Sequence, residues 1–83
     1  MHFVYLLKTG NENKQYYIGM SGDIARRLEE HLRGNVYTTR RLTNPALIYY
    51  EAYTDRVLAI DRENQLKRFG SAYTALLKRL KLK

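Results

Sequence analysis

The chain has 83 residues, a net charge of +7 and no cysteine, which fits one small domain and excludes disulfides and thiolate metal sites. Its two histidines are far apart, which argues against a structural zinc site, and no apolar run approaches the roughly 20 residues that span a bilayer. The positive charge favours a polyanionic partner, with nucleic acid first. Because the start of the chain lacks a signal-peptide pattern, we expect a cytoplasmic protein forming one domain over residues 1–83.

The first part of the sequence predicts a β-hairpin followed by a helix. A strand over His2–Lys8 is apolar on both faces, which is typical of a central strand. A polar turn then leads into a second strand over Gln15–Met20. Either Asp23 or Ser21 can cap the next helix, which is predicted to run to about Leu32.

The pattern within this helix predicts one buried stripe. Ile24, Leu28 and Leu32 recur at i, i+4 and i+8. Arg27 and His31, four residues apart, are expected along the border of that stripe. The remaining charged positions are expected to face water: Arg26, Glu29, Glu30 and Arg33.

The second part predicts one more strand and two more helices. After a helix stop at Gly34-Asn35 and an irregular segment over residues 36–44, a third strand covers Ala46–Tyr53. A helix follows from Thr54 or Asp55 to Phe69, and Gly70-Ser71 separates it from a last helix. One face of the last helix is apolar: Tyr73, Leu76, Leu77 and Leu80. The order ββαβαα indicates an α+β fold.

Four side chains in the first part suit phosphate chemistry. Tyr5 and Tyr17 lie on neighbouring strands, and a favourable register would bring them to one site. Arg27 and His31 approach from the helix that follows. A guanidinium binds an oxyanion bidentately, while a phenol or imidazole can orient or deprotonate a water.

Glu63 is a candidate metal ligand in the second predicted helix. Three of its close helical neighbours are apolar (Ala59, Ile60 and Leu66), so we expect it to border the buried side. A lone carboxylate in such a position is costly unless it is paired or binds a metal. One carboxylate, with waters and a substrate phosphate, is a usual way to hold Mg²⁺.

These positions together resemble the GIY-YIG nuclease domain. Val4-Tyr5 is followed by Tyr17-Ile18-Gly19, and Arg27 comes eight residues later. The likeness extends over nearly the whole chain and is greatest to short single-domain bacterial proteins. It includes further matching positions: Ser21, Asp23, Arg26, His31 and Glu63. The first motif departs from the pattern, since Phe3-Val4 replaces Gly-Ile.

The resemblance implies a three-stranded antiparallel sheet flanked by helices and a metal-dependent DNA endonuclease of a repair or recombination type. Glu63 would hold Mg²⁺ or Mn²⁺, and Arg27 would stabilise the charged transition state. Tyr5 or Tyr17 would act as general base, and His31 would assist the tyrosine or the substrate.

Ordinary alternatives exist for each position. The tyrosines can be plain sheet residues, Arg27 and His31 can be surface residues, and Glu63 can pair with Lys67 at i+4. At the level of function, the alternative is a weakly active or inactive module that binds nucleic acid or a protein partner. Family nucleases usually gain specificity from an appended module, so a protein partner is also expected to supply it. Further candidate contacts to nucleic acid are Gly19, Arg40, Arg41 and Lys67.

Overall fold

Three strands and three helices follow one another in the predicted order in a computed structural model that describes residues 1–9, 15–33, 45–68 and 70–82. The strands are β1 (His2–Thr9), β2 (Gln15–Ser21) and β3 (Ala46–Tyr53); the helices are α1 (Ile24–Leu32), α2 (Arg56–Arg68) and α3 (Gly70–Arg79). The α+β prediction is therefore confirmed. The predicted polar turn, the stop at Gly34-Asn35, segment 36–44 with Arg40 and Arg41, and the helix end at Phe69 lie outside the described residues.

The sheet is antiparallel throughout, with strand order β2-β1-β3. The doubly apolar β1 is central, as its pattern predicts. Tyr5 on β1 stands opposite Gly19 on β2 and opposite Tyr50 on β3. Because opposite residues of an antiparallel ladder share a face, this register decides which side chains gather around Tyr5.

The hydrophobic core lies between one face of the sheet and the last two helices. It combines sheet residues (Val4, Leu6 and Ile18) with helix residues (Ala59, Leu66, Leu76 and Leu77). Burying each large aliphatic side chain contributes about 1.5–3 kcal/mol, so this layer is the main source of stability. Among the described residues, no helix is long and apolar enough to cross a membrane.

Helix α1 begins as predicted but is rotated relative to the prediction. Asp23 is the cap: its Oδ1 accepts the Arg26 N–H at 3.1 Å. The predicted stripe is wrong at its end, because Leu32 is 59% exposed, whereas His31 is 2% exposed. His31 faces the sheet, where its ring contacts Tyr5 and Tyr17. The inward positions of the helix are therefore Ile24, Leu28 and His31, at i, i+4 and i+7.

A carboxylate network ties α2 to β3 on the core side of the sheet. Glu51 accepts hydrogen bonds from the Tyr49 hydroxyl at 2.6 Å and the Tyr53 hydroxyl at 2.5 Å. Arg62 of α2 donates its Nε to the same carboxylate at 2.9 Å and its Nη2 at 3.1 Å. Burial opposes the charge of Glu51, but these donors outweigh it and keep its pKa below the usual value. The network anchors the helix that carries Glu63 to the sheet.

Candidate active site

A buried tyrosine–histidine pair lies at the centre of the site. The Tyr5 hydroxyl and Nε2 of His31 are 2.8 Å apart, and both residues are 2% exposed. Their rings meet edge to face, with centroids 5.8 Å apart. Residues from the central strand and from α1 are thus joined by a polar contact inside the protein, where hydrogen bonds are electrostatically stronger than in water.

Arg27 approaches the same hydroxyl from one helical turn earlier. Hydrogen bonding to Tyr5, and then to Glu30, raises the pKa of the guanidinium. The Glu30 partner is well defined, with Nη1 of Arg27 2.8 Å from Oε2. A guanidinium can only donate, so the Tyr5 oxygen is the acceptor in its contact with Arg27. Which of Tyr5 and His31 donates to the other depends on the imidazole tautomer. Glu30 was expected to face water, but its carboxylate holds the Arg27 guanidinium. The i+3 spacing of the two residues could have indicated this pair.

Opposing effects act on the two central groups. Burial raises the pKa of Tyr5, and the neighbouring Tyr17 and Glu63 act in the same direction, against the hydrogen bond and charge of Arg27. Burial and the charge of Arg27 lower the pKa of His31, and Glu30 offsets only part of this. Tyr5 is therefore a neutral phenol and His31 a neutral imidazole near pH 7, which allows the imidazole to accept the phenolic proton.

Tyr17 packs against the other side of this cluster. Its ring centroid lies 5.3 Å from that of His31, and Lys67 Nζ lies 5.8 Å from the same tyrosine centroid. In register, Tyr17 is opposite Leu7, so it is diagonal to Tyr5 rather than directly across from it. The two phenols share a face and both contact His31, as the sequence-based hypothesis required.

Gly19 makes room for Tyr5. A Cβ built on Gly19 would overlap the Tyr5 hydroxyl and the adjacent ring carbons. The space beside Gly19, a candidate contact to nucleic acid, is therefore filled by the chain's own tyrosine. By contrast, the nearest atom to a Cβ at Gly22 within the described part of the chain is the Met1 carbonyl oxygen, at an ordinary 4.0 Å.

Glu63 reaches the site from α2. Its side chain is partly buried, and its charge contributes to raising the pKa of Tyr5. Lys67 Nζ is 3.4 Å from Glu63 Oε2, so the i+4 pair predicted as an alternative is present. The same lysine contacts Tyr17, and this ion pair therefore lies at the edge of the tyrosine cluster.

An open depression borders Arg27 on the side away from the core. It has a volume of about 420 Å³ and lies between the end of β2 and helix α1, where its lining includes Met20, Gly22, Arg26 and Arg27. Arg27 is 37% exposed, so its guanidinium is accessible from this depression while it also contacts Tyr5. The arrangement joins a solvent-accessible cation to a buried proton-accepting pair.

The fold and the site together define a small α+β domain that carries a cluster of tyrosine, histidine and arginine side chains on one face of an antiparallel sheet. A family profile described as the GIY-YIG catalytic domain matches residues 1–78. The chain therefore belongs to the GIY-YIG family, a family of nucleases whose substrates are nucleic acids.

The chain is also similar to curated proteins of other organisms. A UPF0213 protein of Haloquadratum walsbyi is 32% identical over 69 residues, covering 82% of this chain and 75% of the relative. A UPF0213 protein of Staphylococcus aureus is also 32% identical over 69 residues, covering 82% of each chain. No solved structure matches the chain.

Proposed function

We propose that this chain is a divalent-metal-dependent endonuclease that hydrolyses phosphodiester bonds in DNA during repair or recombination. The observation that carries the proposal is the 2.8 Å contact between Tyr5 and His31 beside Arg27. Family membership supports a nucleic-acid substrate, and the net charge of +7 supports binding to its backbone.

The proposed metal ligand is Glu63, a single carboxylate that also pairs with Lys67. The described part of the chain contains no group of three or more His, Cys, Asp or Glu side chains that could hold a metal. A single carboxylate suits Mg²⁺ or Mn²⁺, because such ions keep several waters and take other ligands from a substrate phosphate. When bound, the metal supplies Lewis-acid stabilisation of charge on the phosphate.

Tyr5 is the proposed general base. A free phenol, with a pKa of about 10, is a poor base at neutral pH, and burial raises the pKa of Tyr5 further. The contact with His31 can compensate for the high pKa of the phenol. As the phenolic oxygen takes a proton from the attacking water, it passes its own proton to Nε2, so no free phenolate accumulates.

Arg27 and Tyr17 have the complementary roles in this proposal. Arg27, accessible from the depression and adjacent to Tyr5, donates to the non-bridging phosphate oxygens as negative charge develops on them. Tyr17 packs against His31, which holds the imidazole in position for Tyr5. Lys67, which pairs with Glu63, is the proposed contact to the substrate backbone.

The test is cleavage by purified protein with Mg²⁺ or Mn²⁺ on single-stranded, flapped and branched DNA. Glu63→Ala should lower the rate by at least about 100-fold, since the proposed metal ligand is lost. Asp61→Ala is the matched control, because Asp61 is exposed on the same helix and should leave the rate unchanged. The absence of cleavage by the unmodified protein, or equal cleavage by Glu63→Ala, would contradict the proposal.

The alternative is a module that binds nucleic acid, or a protein partner that supplies specificity, with little or no catalysis. The positive charge supports it as well as it supports a nuclease. Salt-sensitive binding of DNA that remains intact under all metal conditions would favour this alternative. Activity that appears only with a second protein would identify the partner as the source of specificity.

A further inference from the structure

Tyr50 is an exposed aromatic side chain directly beside the buried Tyr5. The two residues are opposite each other on β3 and β1, so both lie on the same face of the sheet. Tyr5 is 2% exposed, whereas Tyr50 is 54% exposed. The part of the protein that covers Tyr5 on β1 therefore does not cover Tyr50 on β3, and the Tyr50 ring is open to solvent.

The ring of Tyr50 is held in place. Phe3, two residues before Tyr5 on the same face, meets it edge to face, with centroids 5.8 Å apart and planes at 70°. Residue 52, opposite Phe3 across the ladder, is an exposed alanine that adds no bulk beside the pair. A ring oriented by such a contact loses little further freedom when a ligand packs on it.

Exposure alone does not distinguish Tyr50, because isolated exposed apolar residues are normal. Val57 and Leu58 on α2 are as exposed. The distinguishing feature of Tyr50 is its register. Phe3, which contacts Tyr50, is opposite Ser21, and Ser21 lines the depression beside Arg27. Tyr50, Phe3 and this depression therefore follow one another across the same face of the sheet.

We propose that Tyr50 is a stacking platform for a nucleobase of a strand whose phosphate is bound by Arg27 in the neighbouring depression. This inference rests on the proposed function and adds a substrate feature to it. A base inside a duplex is already stacked on its neighbours, so the base on Tyr50 belongs to an unpaired or extruded nucleotide. Stacking accepts every base, because each has an aromatic face. Tyr50 would therefore favour unpaired over base-paired nucleotides without a preference for sequence.

The experiment separates binding from cleavage. An oligonucleotide with a single 2-aminopurine is titrated with protein in EDTA, and both its fluorescence quenching and its anisotropy are followed. Tyr50→Ala should weaken binding by about 5- to 150-fold, the range for loss of one base–aromatic stack, and should reduce quenching. Tyr50→Phe keeps the ring and should restore both. Val57→Ala, a truncation of an equally exposed residue on α2, should match the unmodified protein.

A kinetic measurement distinguishes stacking from a structural role. Tyr50→Ala should raise KM on unpaired DNA while leaving kcat within about threefold, because the change removes binding that is equal in the ground and transition states. If Tyr50→Ala binds and quenches as the unmodified protein does, and cleavage is intact, the stacking inference alone is overturned. The exposed face around Tyr50 would then be a contact for a protein partner. If the unmodified protein binds no oligonucleotide at low salt, both this inference and the proposed function fail.

Discussion

The Tyr5 hydroxyl and Nε2 of His31 are 2.8 Å apart although the two residues are 26 positions apart in sequence. The contact pairs a phenol whose pKa burial raises with an imidazole whose pKa burial lowers. Both shifts favour the neutral forms. Each group is therefore in the protonation state that a proton transfer from phenol to imidazole requires.

The first prediction concerns pH. Because burial and Arg27 lower the pKa of His31 below 6.5, the neutral imidazole should persist below that pH, and activity should fall only as the pH drops through the lowered value. The same group stabilises the fold above its unfolded pKa, and this stability should also be lost as the pH falls through the folded value. An NMR titration of the His31 ring and a kcat/KM profile test both. A midpoint at or above 6.5 would contradict the assignment.

Arg27 and Arg26 form a matched pair on α1. Arg27 contacts Tyr5 and Glu30, whereas Arg26 is largely exposed and pairs only with Glu30 among the described residues. Arg27→Ala should lower kcat by about 100- to 1000-fold through lost stabilisation of the transition-state charge. Arg26→Ala should have a much smaller effect. Urea denaturation should show less than about 1 kcal/mol of destabilisation for either change, as expected for exposed ion pairs; equal kinetic defects would argue against a specific role for Arg27.

Two glycines allow a steric test of the Tyr5 position. Gly19→Ala places a methyl group where the Tyr5 ring lies, so the ring must move or the strand must shift. We expect a loss of about 1–3 kcal/mol in unfolding free energy together with a loss of cleavage. Gly22→Ala has ordinary space around its new methyl group and should be nearly neutral in both measurements. Wild-type stability in Gly19→Ala would show that the ring has room to move.

The ion pair between Lys67 and Glu63 predicts an effect on metal affinity. With Lys67 Nζ 3.4 Å from Glu63 Oε2, a divalent cation must compete with the ammonium for the carboxylate. Lys67→Met should therefore tighten Mn²⁺ binding several-fold, about 1 kcal/mol or less, as measured by calorimetry without substrate. Lys78→Met on α3 removes the same charge from an exposed position and is the control. Unchanged affinity in Lys67→Met would place the metal away from Glu63.

The Glu51 network predicts a large and specific effect on stability. Glu51→Ala leaves Arg62 without this partner and removes the acceptor used by Tyr49 and Tyr53. Because the pair is partly buried, its loss should cost more than that of an exposed pair and less than that of a fully buried one, which is about 3–5 kcal/mol. Glu29→Ala, which removes an exposed ion pair on α1, should cost less than about 1 kcal/mol. Chemical denaturation measures both, and similar values for the two variants would show that the network is not a major source of stability.

The same network predicts a spectroscopic signature at high pH. Burial and then Glu51 raise the pKa of Tyr49 to about 12. Because the folded pKa is above the unfolded value, the associated stability is present below pH 10 and is lost as the pH rises toward 12. Ultraviolet titration should show a tyrosine that ionises late, and Tyr49→Phe should remove it.

Local patterns were sufficient to predict the elements but not their rotation. The bounds of β3 and the central place of β1 depend on nearby residues and are as predicted, and the cap is Asp23, one of the two predicted residues. The buried stripe on α1 was predicted to end at Leu32 because leucine is apolar. The polar His31 occupies the inward position instead, since its burial is compensated by a tyrosine hydroxyl from a different element.

For the candidate site, too, some features follow from the sequence and others from the tertiary structure. The sequence by itself determined the elements, the residue types suited to phosphate, and the family they resemble, because capping, alternation and motif spacing are short-range properties. Only the tertiary structure decided that Tyr5 contacts His31 and lies over Gly19, that Glu30 holds Arg27, and that Tyr50 stands beside Tyr5. Strand register and helix rotation set these contacts, and both are fixed by the packing of elements distant in sequence.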